Sequence, residues 1–326
     1  MPWTRSLQTK SVLALFQAGL CFLVSRGKLL NLHNFKNDTM INIDKLKFIQ
    51  LDYHGLQTLV KWAEKEGWNP GPYDAEVFWV TDPGGYYGFF LEDEMIGGGS
   101  IVSYDGDFGF MGFFIMKPEY RSRGIGRELW YLRRDKLISR LKPGAPIGMD
   151  GVVDMQPFYR KGGFELAFRD ERHERMGETF DIDPHVSPIV EQDFESIVLY
   201  DKQGFGYYRP QFLKPWLNMP EAKTFKYVKD NTLEGYAVMR KAGIGYKIGP
   251  LFADNAQTAE ELYKACLNAF PGEKVYLDIP MKNPEAVALA KKYKTAYSFE
   301  CARMYYGNPP DVELNKIFGV TTFELG

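Results

Sequence analysis

The sequence predicts an α/β (α+β) chain with two mixed, mainly antiparallel sheets, flanked by helices and arranged in tandem. Three observations predict it. In residues 41–176, three apolar strands joined by tight turns lead into a helix, a strand, a short helix and a last strand. The same β-β-β-α-β-α-β order returns in residues 188–326. Between them, residues 177–187 (Gly-Glu-Thr-Phe-Asp-Ile-Asp-Pro-His-Val-Ser) read as a linker. The length, 326 residues, fits two domains at about 150 residues each.

In the first half, Leu56, Leu59, Val60 and Ala63 recur at helical spacing and predict a helix over 52–66. Gly67 ends it, and Trp68-Asn69-Pro70-Gly71 is a turn-forming loop. A short helix is expected at 73–79, then strands at 85–91, 95–104 and 107–116, with Glu92-Asp93-Glu94 and Asp105-Gly106-Asp107 as hairpin turns. Ile125, Leu129, Leu132 and Leu137 predict a helix at 124–139, followed by a strand at 146–151, a helix at 155–162 and a strand at 164–175. The second half is expected to place helices at 190–200 and 209–217 and strands at 223–229, 233–240 and 243–249. A helix at 256–269, a strand at 274–279, a helix opening at Asn283-Pro284 and a strand at 297–306 complete it.

Composition excludes several functions. Lys+Arg (40) falls below Asp+Glu (42), so no overall basic surface invites nucleic acid. The three cysteines, Cys21, Cys266 and Cys301, form no CxxC pair and no disulfide framework. The four histidines show no zinc-type spacing, so no metal is expected.

Residues 1–40 stand apart. Arg5, Lys10, Arg26, Lys28 and Lys36 face a single acid, Asp38, around an apolar run from Val12 to Val24. That run is shorter than the ~20 residues of a membrane span. It resembles a signal or transit peptide, or a non-native leader with Met40 as the true start. The segment is expected to be dispensable. The mature chain is expected in the cytoplasm, away from membranes, or in the mitochondrion if the leader is a transit peptide.

The informative segment is Phe110-Met-Gly-Phe-Phe-Ile-Met-Lys-Pro-Glu-Tyr-Arg121-Ser-Arg-Gly124-Ile-Gly126-Arg127. An apolar strand runs into a glycine loop, and a helix follows at once. Glycine lets the chain turn with no side chain between its amides and a ligand. Free N–H groups and the helix dipole then form an anion site suited to a pyrophosphate. From Lys117 to Lys142 nine basic residues and three acids give +6, leaving the remainder of the chain at -8. Such a basic loop on an acidic protein favours a small polyphosphate ligand over DNA. The loop is not a Walker loop, since no GK[ST] follows. It is not GxGxxG either, since Leu129 holds the third position.

Arg121-x-x-Gly124-x-Gly126 resembles the signature of the GNAT superfamily of acyl-CoA-dependent N-acyltransferases. Phe158-Tyr159-Arg-Lys-Gly-Gly163-Phe164 resembles a second motif of that family, Tyr-x-x-x-Gly-Phe. The resemblance covers residues 45–176. The second half resembles a degenerate copy, because Gly249-Pro-Leu-Phe-Ala-Asp-Asn-Ala256 lacks the arginine and both signature glycines.

The resemblance implies direct transfer of an acetyl group from acetyl-CoA, as cosubstrate, to a primary amine of a small molecule or peptide. Backbone amides of Phe114, Ile115 and Met116 would hold the pantetheine arm. Arg121, Arg123, Gly124, Ile125, Gly126 and Arg127 would form the pyrophosphate loop. Tyr159 matches the residue that protonates the departing thiolate. The strand before the loop lacks the carboxylate that some members use as base, so Asp150 and Asp154 are the nearest candidates. Trp62, Trp68, Trp79, Tyr86 and Tyr87 are read as core or as acceptor-pocket lining. The missing strand carboxylate keeps a second reading open, a non-catalytic CoA-binding regulatory or scaffold protein.

Overall fold

The computed structural model describes residues 45–326, together with a short antiparallel ladder of β1 (Phe22–Ser25) on β2 (Lys28–Asn31). The dispensable leader expected over residues 1–40 otherwise lies outside the described residues. Residues 45–326 form one compact unit.

The first half runs β3 (Leu46–Gln50), α1 (Tyr53–Lys65), α2 (Asp74–Thr81), β4 (Tyr86–Leu91), β5 (Glu94–Tyr104), β6 (Phe108–Met116), α3 (Ile125–Ile138), β7 (Ile147–Val152), α4 (Gln156–Lys161) and β8 (Phe164–Met176). The second half repeats the order. It runs β9 (Val186–Pro188), α5 (Phe194–Phe205), α6 (Pro210–Leu217), β10 (Lys223–Lys229), β11 (Thr232–Lys241), β12 (Tyr246–Ala253), α7 (Ala256–Ala269), β13 (Lys274–Pro280), α8 (Pro284–Lys292) and β14 (Ala296–Tyr306). A further strand, β15 (Ile317–Gly319), follows.

Local chemistry explains the boundaries. The Asp52 carboxylate accepts from Gly55 N–H at 2.8 Å and opens α1, whose Leu56, Leu59 and Ala63 are buried. The Asn283 side chain accepts from the amides of Glu285 and Ala286 and opens α8 at Pro284. The hairpin turns rest on left-handed residues, Glu92 between β4 and β5 and Asp105-Gly106 between β5 and β6.

The two expected sheets are joined. Thirteen strands form one sheet in the order β3-β4-β5-β6-β7-β14-β8-β13-β12-β11-β10-β9, with β15 pairing β12 off that path. The order is a pseudo-twofold. In each half the fourth and fifth strands pair in parallel, β6 with β7 and β12 with β13. At the centre the halves exchange their last strands. β14 of the second half pairs β7 of the first, and β8 of the first half pairs β13 of the second. Interleaving gives each half's open edge a partner and leaves no exposed edge there. Strand patterning cannot forecast this, because alternation fixes which face a strand buries and not which strand lies beside it.

Alternating residues divide the core between the two faces of the sheet. Met111, Trp130, Leu137, Met149, Tyr159 and Phe164 pack under α3. On the other face Phe78, Phe110 and Phe113 join Trp216 and Phe252 of the second half in a core shared by both halves. A third cluster lies under α7 and α8.

Candidate acyl-transfer site

β6 and β7 pair only from Gly109–Met111 to Ile147–Met149. Beyond that point they part, while β6 stays paired to β5 at Ser100–Gly112, Gly98–Ile115 and Gly97–Met116. A bulge in this ladder places Phe113 at φ 50°. The edge of β6 that β7 leaves at Phe114–Met116 therefore lines a cleft. That cleft is a groove of about 530 Å³ lined by Phe114, Ile115, Met116, Arg121, Ser122, Gly124, Gly126, Arg127, Val152, Met155, Phe158 and Tyr159.

The glycine loop forms one end of the groove. Gly124 has φ 82°, a conformation that penalises any residue with a Cβ, and stands at the N-cap of α3 with no side chain capping the helix. With no side-chain cap, the start of α3 is left to a ligand, while Arg127 N–H donates back to Gly124 O at 3.0 Å. Arg121 is anchored, its Nε donating to Met116 O at 2.9 Å and its Nη2 pairing Glu66. Its guanidinium fastens the loop to β6 and α1. Ile125 is buried, and Arg127 lies over the Tyr131 ring.

At its inner end the groove meets a small cavity of about 60 Å³ that passes through the gap between β6 and β7. Tyr159, Phe114, Trp68 and Val152 line both spaces. Tyr159 sits on α4, 4 % exposed, its ring packed on Gly151, where a Cβ would overlap it. Burial pushes its phenol up to about 12, so it is protonated at neutral pH. Beside it, Arg133 donates through Nη2 to the carbonyls of Ser100 and Gly112 at 2.6 Å each. Burial draws the Arg133 guanidinium down to about 9.

Of the two expected carboxylates, Asp150 reaches the cavity and Asp154 does not. Asp150 lines the cavity, but Arg303 of β14 donates to both its oxygens, at 2.6 and 2.7 Å. Asp154 is exposed in the turn after β7, outside the cavity lining. Sequence reasoning missed Glu324. This residue is 4 % exposed and lines the same cavity, brought there by the segment Val320–Gly326. No motif, period or turn marked that segment.

Of the five aromatic candidates, Trp68 lines both groove and cavity. Tyr86 and Tyr87 are core, and Trp62 and Trp79 pack half-buried against it. Residues of β8 and of the second half hold the Trp68 loop. Arg172 and Lys247 donate to Trp68 O at 3.2 and 3.0 Å, and the Asn69 side chain exchanges two hydrogen bonds with the Ile244 backbone.

The second half's own cleft is closed. β12 and β13 pair only from Tyr246–Ile248 to Val275–Leu277, matching β6 and β7. Into the gap beyond runs β15, which pairs Leu251 and Phe252, and Val320 N–H donates to Asp278 O at 2.9 Å. The start of α7 is capped by Asn255, whose side chain accepts from Thr258 N–H at 2.9 Å. Neither the cleft nor the helix end is open to a phosphate ligand. Among the described residues, no cluster of His, Cys, Asp or Glu is placed to hold a metal, and no helix is long and apolar enough to cross a membrane.

An open cleft between parting parallel strands, a glycine loop at a helix start and a buried phenol at their junction define an acyltransferase of the tandem type. Comparison with known proteins agrees. Residues 53–164 match the acetyltransferase (GNAT) family, and residues 197–319 match an acetyltransferase (GNAT) domain. The chain belongs to the GNAT superfamily and carries two of its domains, the second degenerate at its loop. It is 28% identical over 272 residues to holothin acyltransferase of Pseudoalteromonas sp. (strain SANK 73390), covering 83% of this chain and 91% of that one. It is 23% identical to the uncharacterized N-acetyltransferase YitH of Bacillus subtilis (strain 168), over 74% of this chain and 84% of that one. In fold it is similar to a protein from Pyrococcus horikoshii assigned as an acetyltransferase, with TM-score 0.74, 22% identity, and 91% of this chain and all of that one covered. It is also similar to a tandem GNAT protein from the clavulanic acid biosynthesis pathway, with TM-score 0.58, 13% identity, and 82% of this chain and all of that one covered.

Proposed function

We propose that the protein transfers an acetyl group from acetyl-CoA to a primary amine of a small molecule or peptide by direct attack. The observation that carries this reading is the junction of groove and cavity at Tyr159. A thioester laid along the groove ends beside a phenol that burial keeps protonated. The amides of Phe114, Ile115 and Met116 hold the pantetheine arm on the free edge of β6. The loop Arg123–Arg127 holds the pyrophosphate at the start of α3. The amine nitrogen attacks the carbonyl carbon, the C–S bond breaks, and Tyr159 protonates the leaving sulfur. The second half acts as a support, holding the Trp68 wall.

A second reading is a CoA-binding regulatory or scaffold protein without turnover. It draws on the small cavity, about 60 Å³ between Trp68, Phe299 and Phe323, which leaves a bulky acceptor little room without loop movement. Thiol release from acetyl-CoA, screened against amines, polyamines, amino acids and peptides, separates the two. Turnover with any of them supports the transferase. CoA binding with no thiol release across the panel supports the scaffold.

A further inference from the structure

We propose that Glu324 is the proton acceptor of this reaction, delivered to the first half's site by the segment that closes the second half's cleft. The inference rests on the acyl-transfer reading. Two carboxylates wall the cavity, Asp150 and Glu324. Asp150 is engaged through both oxygens by Arg303. Glu324 is paired instead with the Thr322 hydroxyl, which donates to one carboxylate oxygen. A carboxylate held by one neutral hydroxyl keeps lone pairs for a substrate N–H or a bridging water.

Its position is built into the fold. β15 fills the gap between β12 and β13, and the chain then crosses to β6 of the first half. The crossing point is Gly112, where any Cβ would overlap the carbonyl oxygen of Glu324. Gly112 directly precedes Phe113 and Phe114, where β6 turns its free edge to the groove. Phe323 and Leu325 pack into the core on the face away from α3, whereas Tyr159 packs in the cluster under α3. The cavity therefore has its phenol and its carboxylate on opposite faces of the sheet, joined through the gap between strands. That arrangement separates the group that gives a proton to sulfur from the group that takes one from nitrogen. Charged groups reach Glu324 from four other elements: Arg172 on β8, Lys247 on β12, Asp74 on α2 and Asp150 on β7.

The step balances. The lone pair of a neutral amine forms the C–N bond, and the C–S pair leaves on sulfur. One N–H proton passes to Glu324, directly or through a water, and the Tyr159 proton passes to sulfur. The products are an amide and a free thiol. Proton return from Glu324 to the Tyr159 phenolate through solvent resets both groups.

The test uses the full chain with acetyl-CoA and an amine that it turns over. Glu324→Gln keeps the shape and the Thr322 contact and removes the base. The expected result is a kcat lower by about 10²–10⁴-fold, loss of the acid limb of the kcat/KM pH profile, and unchanged CoA affinity and melting temperature. Should that variant fail to fold, Glu324→Asp is measured, with a lowered kcat and a retained acid limb expected. A native rate and native pH profile in Glu324→Gln, or a native kcat in Glu324→Asp, overturns the proposal and leaves the transferase reading standing. Absence of turnover in the unaltered protein with every amine overturns both.

Discussion

Asp150 and Arg303 are register partners across the β7–β14 pairing, the guanidinium donating to both carboxylate oxygens at 2.6 and 2.7 Å. A matching pair lies across β8 and β13, where Arg172 donates to both oxygens of Asp278 at 2.7 Å each. Each pair joins a residue of one half to a residue of the other, and all four side chains are nearly buried. The duplication is thus visible in chemistry as well as topology. Removing one partner of such a pair leaves an uncompensated buried charge. Arg303→Met should destabilise the protein by about 3–5 kcal/mol in denaturant unfolding. Arg303→Met combined with Asp150→Asn should recover part of the loss, because the stranded charge is gone. Additive losses in that double-mutant cycle would show that the pair does not couple the halves.

CoA should bind once. The first cleft is open with an uncapped glycine at the start of α3, and the second is filled by β15. Calorimetry should give one site in the native chain and none in Gly124→Glu, which places bulk, charge and a left-handed strain where the proposed mechanism lays the pyrophosphate. A second site, or an unaffected variant, would remove the loop from the assignment.

Gly151→Ala probes the placement of Tyr159 without touching its hydroxyl. The new methyl overlaps the phenol ring, and the ring must move. Turnover should fall at least ten-fold while CoA affinity holds within a factor of about three, both by steady-state kinetics and calorimetry. Native turnover would mean that the ring position is not critical.

Lys247 makes stability depend on pH. It is buried, and desolvation lowers its ammonium to about 7 from an ordinary 10.5, with Arg172 adding repulsion. Between these values the unfolded chain binds the proton that the folded chain gives up, so this residue's contribution rises with pH. The slope is at most about 1.4 kcal/mol per pH unit. Unfolding free energies from pH 7 to 9 should rise more steeply in the native protein than in Lys247→Met. Equal slopes would show that Lys247 keeps its ordinary value.

The sequence carried most elements because their periods and caps are local. The helix expected at 256–269 is α7 as observed, and the strand expected at 223–229 is β10. The glycine loop was legible because Gly124 turns the chain at the start of α3, next to its neighbours in sequence. Three features were not legible, and all are long-range. Val186 and Ser187 of β9 fall in the expected linker 177–187, since a three-residue strand has too few residues to show alternation. The exchange of β8 and β14 depends on pairing partners, which patterning does not encode. Ile317–Gly326 lacks any helix or strand period because it threads between halves, buried on all sides by residues distant in sequence. On the proposed mechanism the carboxylate absent from β6 is supplied from a part of the chain far away in sequence. Asp150, nearest in sequence, is held by Arg303, and Glu324, far in sequence, faces the cavity.

On the proposed mechanism Tyr159 serves in turnover and not in binding or folding. Tyr159→Phe keeps the ring on Gly151 and its neighbours Trp130 and Phe158 and removes only the proton donor. Thiol release from acetyl-CoA with an accepted amine is the direct measurement. The expected result is a kcat lower by about 10²–10⁴-fold, with CoA affinity and melting temperature close to native. A Tyr159→Phe protein that turns over at the native rate would contradict it.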